Sequence, residues 1–386
     1  MCSQERLNLK QVPLLDLQKE YEEIKGEIDE SLLKTVSGAR YILGPEVEKL
    51  EAEIARYLGV KYCVGVASGT DALLLSLRAL AITRKKSEFF APDDEIITTP
   101  FTFTATGSTI LRAGAKPVFV DIDPVTFNID PQQVKAAITN KTVGIIPVHL
   151  YGQPCPMDKI MEIAEKNGLF VLEDAAQSFG AKWQGKKVGG MGTLAAFSFF
   201  PSKNLGCFGD GGAVATSDAE LAEKVKMLRT HGGKDKYNVE HLGYNSRLDT
   251  IQAAVLLVKL KHVDRLNCLR REIASYYNEH LRDIAWLSVP GEAQGTEHAF
   301  HQYTVRIGGG KRDTVQAILK EKGISTAVYY PVPLHEMKVF AERCRINGSL
   351  PYTVKACQEV LSLPVEPLYQ EKELKYVVDS IRNIKL

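Results

Sequence analysis

The chain has 386 residues, 45% of them hydrophobic, enough for one large domain or two ordinary ones around a sizeable core. Its 48 basic and 47 acidic residues leave a formal charge of +1, which excludes a general electrostatic pull toward nucleic acid or anionic lipid; a bound phosphate group needs a local site. Seven cysteines lie scattered from 2 to 357 without metal-ligand spacing, the N-terminus lacks an apolar signal core and no run of 18 apolar residues occurs, so the expectation is a cytoplasmic protein with reduced thiols and no membrane span.

In chain order, residues 17–36 place apolar side chains at helical spacing, and a second helix is expected over 44–59, with Pro45 in its first turn and Gly59 at its end. From residue 62 the pattern changes to short apolar, β-branched runs at 62–67, 95–99, 116–122, 142–150 and 168–174. Helical stretches at 70–80, 103–114, 131–138 and 157–168 alternate with them. This alternation predicts an α/β fold with a mostly parallel sheet flanked by helices. The charged stretch 82–94 reads as a loop, and residues 248–281 as one long helical run leading out of the large domain. A small α+β domain is expected after it, so the large domain is taken as 1–255 and the linking helix with the small domain as 256–386.

Ligands on such sheets sit beyond the carboxyl ends of the strands. Ser68, Gly69 and Thr70 follow the first strand and open a helix, whose free N–H groups suit an anion or a plain helix cap. Asp174 ends an apolar strand, with Gln177 three residues on; it reads as a cap or as a buried, paired carboxylate. "FSFFPSKNLGCFGDGG", residues 197–212, surrounds Lys203 with aromatic residues and glycines, a setting that lowers a lysine's pKa. No dinucleotide-binding glycine motif is present, "GGGKRDT" departs from a phosphate loop, and His298 and His301 run straight into a strand, so no metal site is expected. One chemistry uses the remaining residues together. Pyridoxal 5'-phosphate needs a lysine for a Schiff base, a carboxylate at its ring nitrogen, an anion site and a stacking aromatic. Lys203, Asp174, the 68–70 turn with Ser198, and Phe103 meet those needs.

The stretches "VASGTDAL", "TTPFTFTAT", "PVHLYGQ", "VLEDAAQSFGA", "FSFFPSKNLGCFGDGGA" and "GYNSRLDTIQAAVL" resemble the DegT/DnrJ/EryC1/StrS family of nucleotide-sugar aminotransferases, within fold type I of the pyridoxal phosphate enzymes. The resemblance implies a large cofactor domain and a small C-terminal domain. It implies Lys203 and Asp174 as catalytic residues, with Gly69, Thr70, Phe103, Gln177, Ser198 and Asn245 also at the cofactor. Asn245 would reach the phosphate of a neighbouring subunit, hence a homodimer with shared sites. Arg247, His301, Tyr330 and His335 are candidates for substrate contact. The implied reaction moves an amino group from L-glutamate to a nucleotide-linked keto-sugar. The 3-keto group of a UDP-N-acetylglucosamine-type sugar or uronate is favoured, in cell-surface polysaccharide or amino-sugar biosynthesis. A sugar dehydratase would carry histidine at 203; a non-catalytic regulatory protein of this fold is the other alternative.

Overall fold

The computed structural model describes residues 11–235 and 237–386. The N-terminal reading and Cys2 therefore lie outside the described residues. Helix α1 (Leu17–Gly38) starts at Asp16, whose carboxylate accepts the Lys19 N–H at 3.0 Å. Helix α2 (Pro45–Leu58) has Pro45 in its first turn and stops at Gly59, whose φ of 74° only glycine adopts freely. The chain then alternates β1 (Tyr62–Val66), α3 (Gly69–Leu80), β2 (Glu95–Thr98), α4 (Thr104–Arg112), β3 (Lys116–Phe119), α5 (Pro131–Ala137), β4 (Thr142–Ile145), α6 (Met157–Lys166) and β5 (Phe170–Asp174). A short ribbon of β6 (Lys182–Trp183) and β7 (Lys186–Lys187) follows, then β8 (Leu194–Ser198), β9 (Gly212–Thr216), α7 (Ala219–Arg229), α8 (Thr250–Lys259) and α9 (Val263–Leu281). The C-terminal part holds β10 (Leu287–Ser288), β11 (Thr296–Glu297), β12 (Tyr303–Ile307), α10 (Arg312–Glu321), β13 (Arg345–Ile346), α11 (Pro351–Glu359), β14 (Val360–Leu363) and α12 (Glu371–Arg382).

Eight strands form one sheet in the order β1-β9-β8-β5-β4-β2-β3-β13. From β8 to β13 every neighbouring pair is parallel, while β9 pairs antiparallel with both β1 and β8. Reversing β9 leaves β1 running the same way as β8. The carboxyl ends of β1, β2, β5 and β8 therefore share one edge, with the start of β9 between two of them. Helices cover both faces: α3 packs Leu73, Leu77 and Leu80 against Val64 and Leu172 on one, while α2 packs Leu50 and Ile54 with Phe197 and Ala213 on the other. A separate core of Tyr277, Tyr303, Val305, Leu361 and Val377 forms around the small sheet β10-β12-β14. Among the described residues no helix is long and apolar enough to cross a membrane.

One stretch differs from its sequence reading in part and another in full. Residues 86–94 form the expected loop, mostly exposed, but the first part of 82–94 does not. Ala81–Lys85 continue α3 as a π-helical turn, and Lys86 ends it at φ 53°. Phe90 then enters the core at 4% exposure and donates its N–H to Ala113 O at 3.0 Å. Two ion pairs tie the stretch down: Arg78, 1% exposed, reaches Glu88 at 2.7 Å, and Lys85 reaches Asp94 at 2.8 Å. The long helix expected over 248–281 is two helices, separated at Leu260–His262 by tight i→i−3 turns. Lys261 and His262 there point back to Glu27 of α1, at 3.1 and 2.8 Å.

Since Phe90 anchors the loop in the core, Phe90→Ala is expected to destabilise the protein by about 3–5 kcal/mol. Lys85→Ala costs less than about 1 kcal/mol. Urea denaturation monitored by circular dichroism checks both; equal small effects would remove the anchoring role of Phe90.

Candidate active site

Along the shared strand edge the backbone is pinned before any side chain acts. Phe199 N–H donates to Gly211 O and Cys207 N–H to Phe199 O, both at 2.8 Å, so residues 199–211 close into a loop on β8 and β9. Gly206 permits the closure, since a Cβ there would lie 2.4 Å from Pro201 O. Lys203 hangs from this loop, its own N–H bonded to Phe200 O at 2.8 Å. The residue is partly exposed, but burial of its amine pulls the pKa down to about 8, against the raising influence of Asp174. Nζ lies 3.4 Å from His301 Nε2.

Asp174 ends β5, the strand beside β8. Its backbone is held by Pro147 O and by the His149 N–H, at 2.9 and 3.1 Å. One carboxylate oxygen accepts Thr106 Oγ1 at 2.8 Å, the other the Ala176 N–H at 3.3 Å. Burial pushes the carboxyl above its ordinary pKa; Thr106, Ala176 and Lys203 oppose that without cancelling it. Glu173, one residue back, points to the opposite face. There it accepts N–H groups of Gly189, Met191 and Gly192 at 2.8, 2.9 and 2.6 Å and the His149 ring at 3.1 Å. Burial pushes Glu173 up, but these donors outweigh it and hold the group below the usual carboxylate range.

Gln177 is locked at both ends of its amide. Oε1 accepts the Tyr151 N–H at 2.7 Å and Nε2 donates to Tyr330 Oη at 2.9 Å. Phe103, at the start of α4, is 55% exposed, and its ring lies 6.3 Å from that of Tyr330. An exposed phenyl on the strand edge is an available stacking surface. Gly69 and Ser198 meet at the start of α3. A Cβ on Gly69 would fall 2.6 Å from Ser198 Cβ, and one on Gly212 would fall 2.8 Å from Gly69 N. Ser68 is the helix cap, its Oγ taken by the Asp71 N–H at 3.0 Å, which leaves the Gly69 and Thr70 end of the helix to face an anion.

The four positions expected from sequence thus lie on one edge: a depressed-pKa amine, a buried carboxylate, an exposed ring and a cradle that a single Cβ would fill. They fit pyridoxal phosphate, which needs that set. Arg247 is drawn to the same end of the sheet, its backbone bridged to Val66, with Ser246 Oγ donating to Asp71 at 2.9 Å. Arg247 Nε is buried without a hydrogen-bond partner. Asn245 is exposed, and among the described residues no hydrogen bond joins its side chain to Gly69 or Thr70. His335 is half-buried, its ring nearest the carboxylates of Glu336 and Asp121. Sequence reasoning did not single out Thr106. The signal was Thr102 and Thr106 at i and i+4 opening a post-strand helix, and their hydroxyls lie 3.0 Å apart.

Comparison with known proteins follows the same lines. The sequence pattern of the DegT/DnrJ/EryC1/StrS aminotransferase family matches residues 22–382. The chain is 52% identical to the pleiotropic regulatory protein of Geobacillus stearothermophilus over 96% of this chain and 97% of the relative. It is 43% identical to the UDP-2-acetamido-2-deoxy-3-oxo-D-glucuronate aminotransferase of Pseudomonas aeruginosa, over 96% of this chain and all (100%) of that one. It is 42% identical to the dTDP-3-amino-3,4,6-trideoxy-alpha-D-glucose transaminase of Streptomyces venezuelae, over 98% and 97%. The solved structure of Streptomyces venezuelae DesV in complex with a ketimine intermediate superposes with a TM-score of 0.91 at 42% identity, over 96% of this chain and 98% of that one.

The Gly69 cradle has a direct consequence. Gly69→Ala forces the start of α3 off Ser198 and weakens pyridoxal phosphate binding by at least about tenfold, since 1.4 kcal/mol of lost contact suffices. Gly26→Ala, where nothing lies within 4 Å, leaves affinity unchanged. Titration of the cofactor-free protein followed by absorbance distinguishes the two.

Proposed function

Since the chain belongs to the DegT/DnrJ/EryC1/StrS aminotransferase family, whose members depend on pyridoxal phosphate, we propose that it transfers an amino group from L-glutamate to the keto group of a nucleotide-linked sugar. The observation that carries this reading is an amine with its pKa pulled to about 8, facing a buried carboxylate from the adjacent strand. Lys203 would hold the cofactor through Nζ. Asp174 would face its ring nitrogen, Gln177 its ring hydroxyl and Phe103 its ring face, with Gly69, Thr70 and Ser198 around its phosphate. When bound, the cofactor supplies an aldehyde that condenses with primary amines and a ring that takes up electrons.

The rest falls to the protein. At neutral pH an amine of pKa about 8 exchanges its proton readily, so Nζ can remove a proton from one substrate carbon and return it in the other half-reaction. Burial raises the Asp174 carboxyl above its ordinary pKa, and a cation facing it would favour the carboxylate. The Thr106 hydroxyl and the Ala176 N–H hold it aimed at the strand edge. The Gln177 amide, fixed between Tyr151 and Tyr330, keeps one orientation throughout.

Arg247, Tyr330 and His335 remain the proposed substrate contacts, and Asn245 the proposed contribution from a second copy in a homodimer. For the sugar, the 3-keto group of a UDP-N-acetylglucosamine-type sugar or uronate is favoured, in keeping with the Pseudomonas aeruginosa relative. The dTDP-sugar relative is almost equally similar and supports the competing substrate. A regulatory role has its support in the name of the Geobacillus stearothermophilus relative. The intact amine, carboxylate and cradle favour chemistry over regulation, and lysine rather than histidine at 203 favours transamination over dehydration.

Lys203→Ala is expected to lower turnover by more than about 10³-fold, the upper part of the usual share of positioned proton transfer, while the melting curve stays cooperative. Incubating the protein with L-glutamate and a panel of UDP- and dTDP-linked keto-sugars, read by mass, identifies the substrate. Amination of a UDP-linked 3-keto sugar is the expected result. Product from dTDP-sugars alone would replace the nucleotide, and no product from a cofactor-loaded protein would favour the regulatory reading.

A further inference from the structure

His301 was expected at the substrate, yet its closest functional neighbour is the lysine. Nε2 lies 3.4 Å from Lys203 Nζ, the residue is 6% exposed, and Nδ1 is buried without a partner. The approach is built by several independent constraints. Asn204, next to Lys203, donates its side-chain N–H to Ala299 O at 2.9 Å, which ties the lysine loop to the segment that carries His301. Ala299 N–H donates to Gly152 O at 3.0 Å and Gln302 N–H to Tyr151 O at 3.2 Å. A Cβ at Gly152 would lie 2.9 Å from the backbone nitrogens of both Phe300 and His301. Tyr151 and Phe300 adopt left-handed φ values of 58° and 41°. Non-glycine residues hold such conformations where the surrounding structure imposes them, and they gather at functional sites.

The protons around His301 can be counted. Burial, with the positive charges of Lys203 and Arg270, pushes its pKa well below the ordinary value, so the ring is neutral and carries one N–H. Placed on Nδ1, that hydrogen would be a buried donor with no acceptor. Placed on Nε2, it points at Lys203, and Nδ1 is left as a bare acceptor, the more tolerable orphan. An Nε2–H can donate to Nζ only when Nζ is an unprotonated amine with a free lone pair. The charge on Asp174 favours the ammonium, so the two neighbours act in opposite directions on one nitrogen.

We propose that His301 is a positioning residue for Lys203: its Nε2–H donates to the free amine, which favours the unprotonated form and holds it at the strand edge. This rests on the reading of Lys203 as the reactive amine. The ring takes up no proton itself.

Amine labelling tests it on the full-length protein freed of cofactor. Acetic anhydride is applied at a series of pH values, and mass spectrometry follows the peptide containing Lys203. The wild-type midpoint is expected near pH 8. His301→Phe removes the donor and moves the midpoint upward by about one unit, a tenfold loss of amine form at neutral pH. His301→Gln, whose amide can donate, recovers at least half of that shift. An unmoved midpoint in His301→Phe overturns the proposal. Should that variant not fold, ¹⁵N NMR of the wild-type ring decides. A neutral Nε2–H tautomer at pH 7 supports it; an Nδ1–H tautomer or an imidazolium overturns it. Borohydride reduction of the cofactor-loaded protein separates the two levels. Absence of a pyridoxyl label on Lys203 removes the functional reading, whereas a labelled Lys203 with an unmoved midpoint removes only the role of His301.

Discussion

An amine and a carboxylate, both withdrawn from water at the ends of neighbouring parallel strands, set the terms for everything around them. Burial penalises the charge on Lys203 and the charge on Asp174, and each relieves the other only in part. Both groups are consequently left away from their ordinary pKa values, the amine lowered and the carboxyl raised. Such a pair is tolerable in a fold only if its backbone and neighbours are rigid. The closed loop 199–211 holds one partner; Thr106, Ala176 and the backbone of Pro147 hold the other.

That rigidity comes from strand direction. Because β9 alone runs backward in the large sheet, the first strand of the chain ends beside Ser198 and not at the far end of the molecule. The start of α3, the start of β9 and the end of β8 then crowd so closely that Gly69 and Gly212 have no room for a Cβ. The two-residue period of β5 does a second task. It sends Asp174 to the strand edge and Glu173 to the other face, where three backbone N–H groups of residues 189–192 converge on it. The charge on Glu173 thus organises the loop leading into β8, and β8 carries Ser198 and the lysine loop.

Much of this was legible in the residues. The helix limits at Pro45 and Gly59 and the strand ends at Val66 and Asp174 follow from caps, periodicity and β-branched runs, which act within a few residues. Lys203, Asp174, Gly69, Ser198 and Phe103 were singled out because ligands gather at post-strand positions, and the structure brings them to one strand edge. What was missed has a common cause. In 82–94 the loop was legible, but the helical turn at Ala81–Lys85, the burial of Phe90 and the pairing of Glu88 with Arg78 depend on remote partners that could not be seen. The break at Leu260–His262 has no glycine or proline to announce it and is met by Glu27, more than two hundred residues away. Thr106 and the neighbour of His301 were hidden for the same reason, since each contact joins segments 68 and 98 residues apart.

The sequence by itself determined which chemical groups are available and which end of each strand they occupy, because propensity, capping and alternation are local. Only the tertiary structure decided which groups face one another: that the lysine meets a neutral imidazole as well as a carboxylate, that Gln177 is clamped between two tyrosines, and that a reversed strand closes the cradle. Those outcomes depend on distances between remote segments and on how far water is excluded from them, and neither is a property of any short stretch of chain.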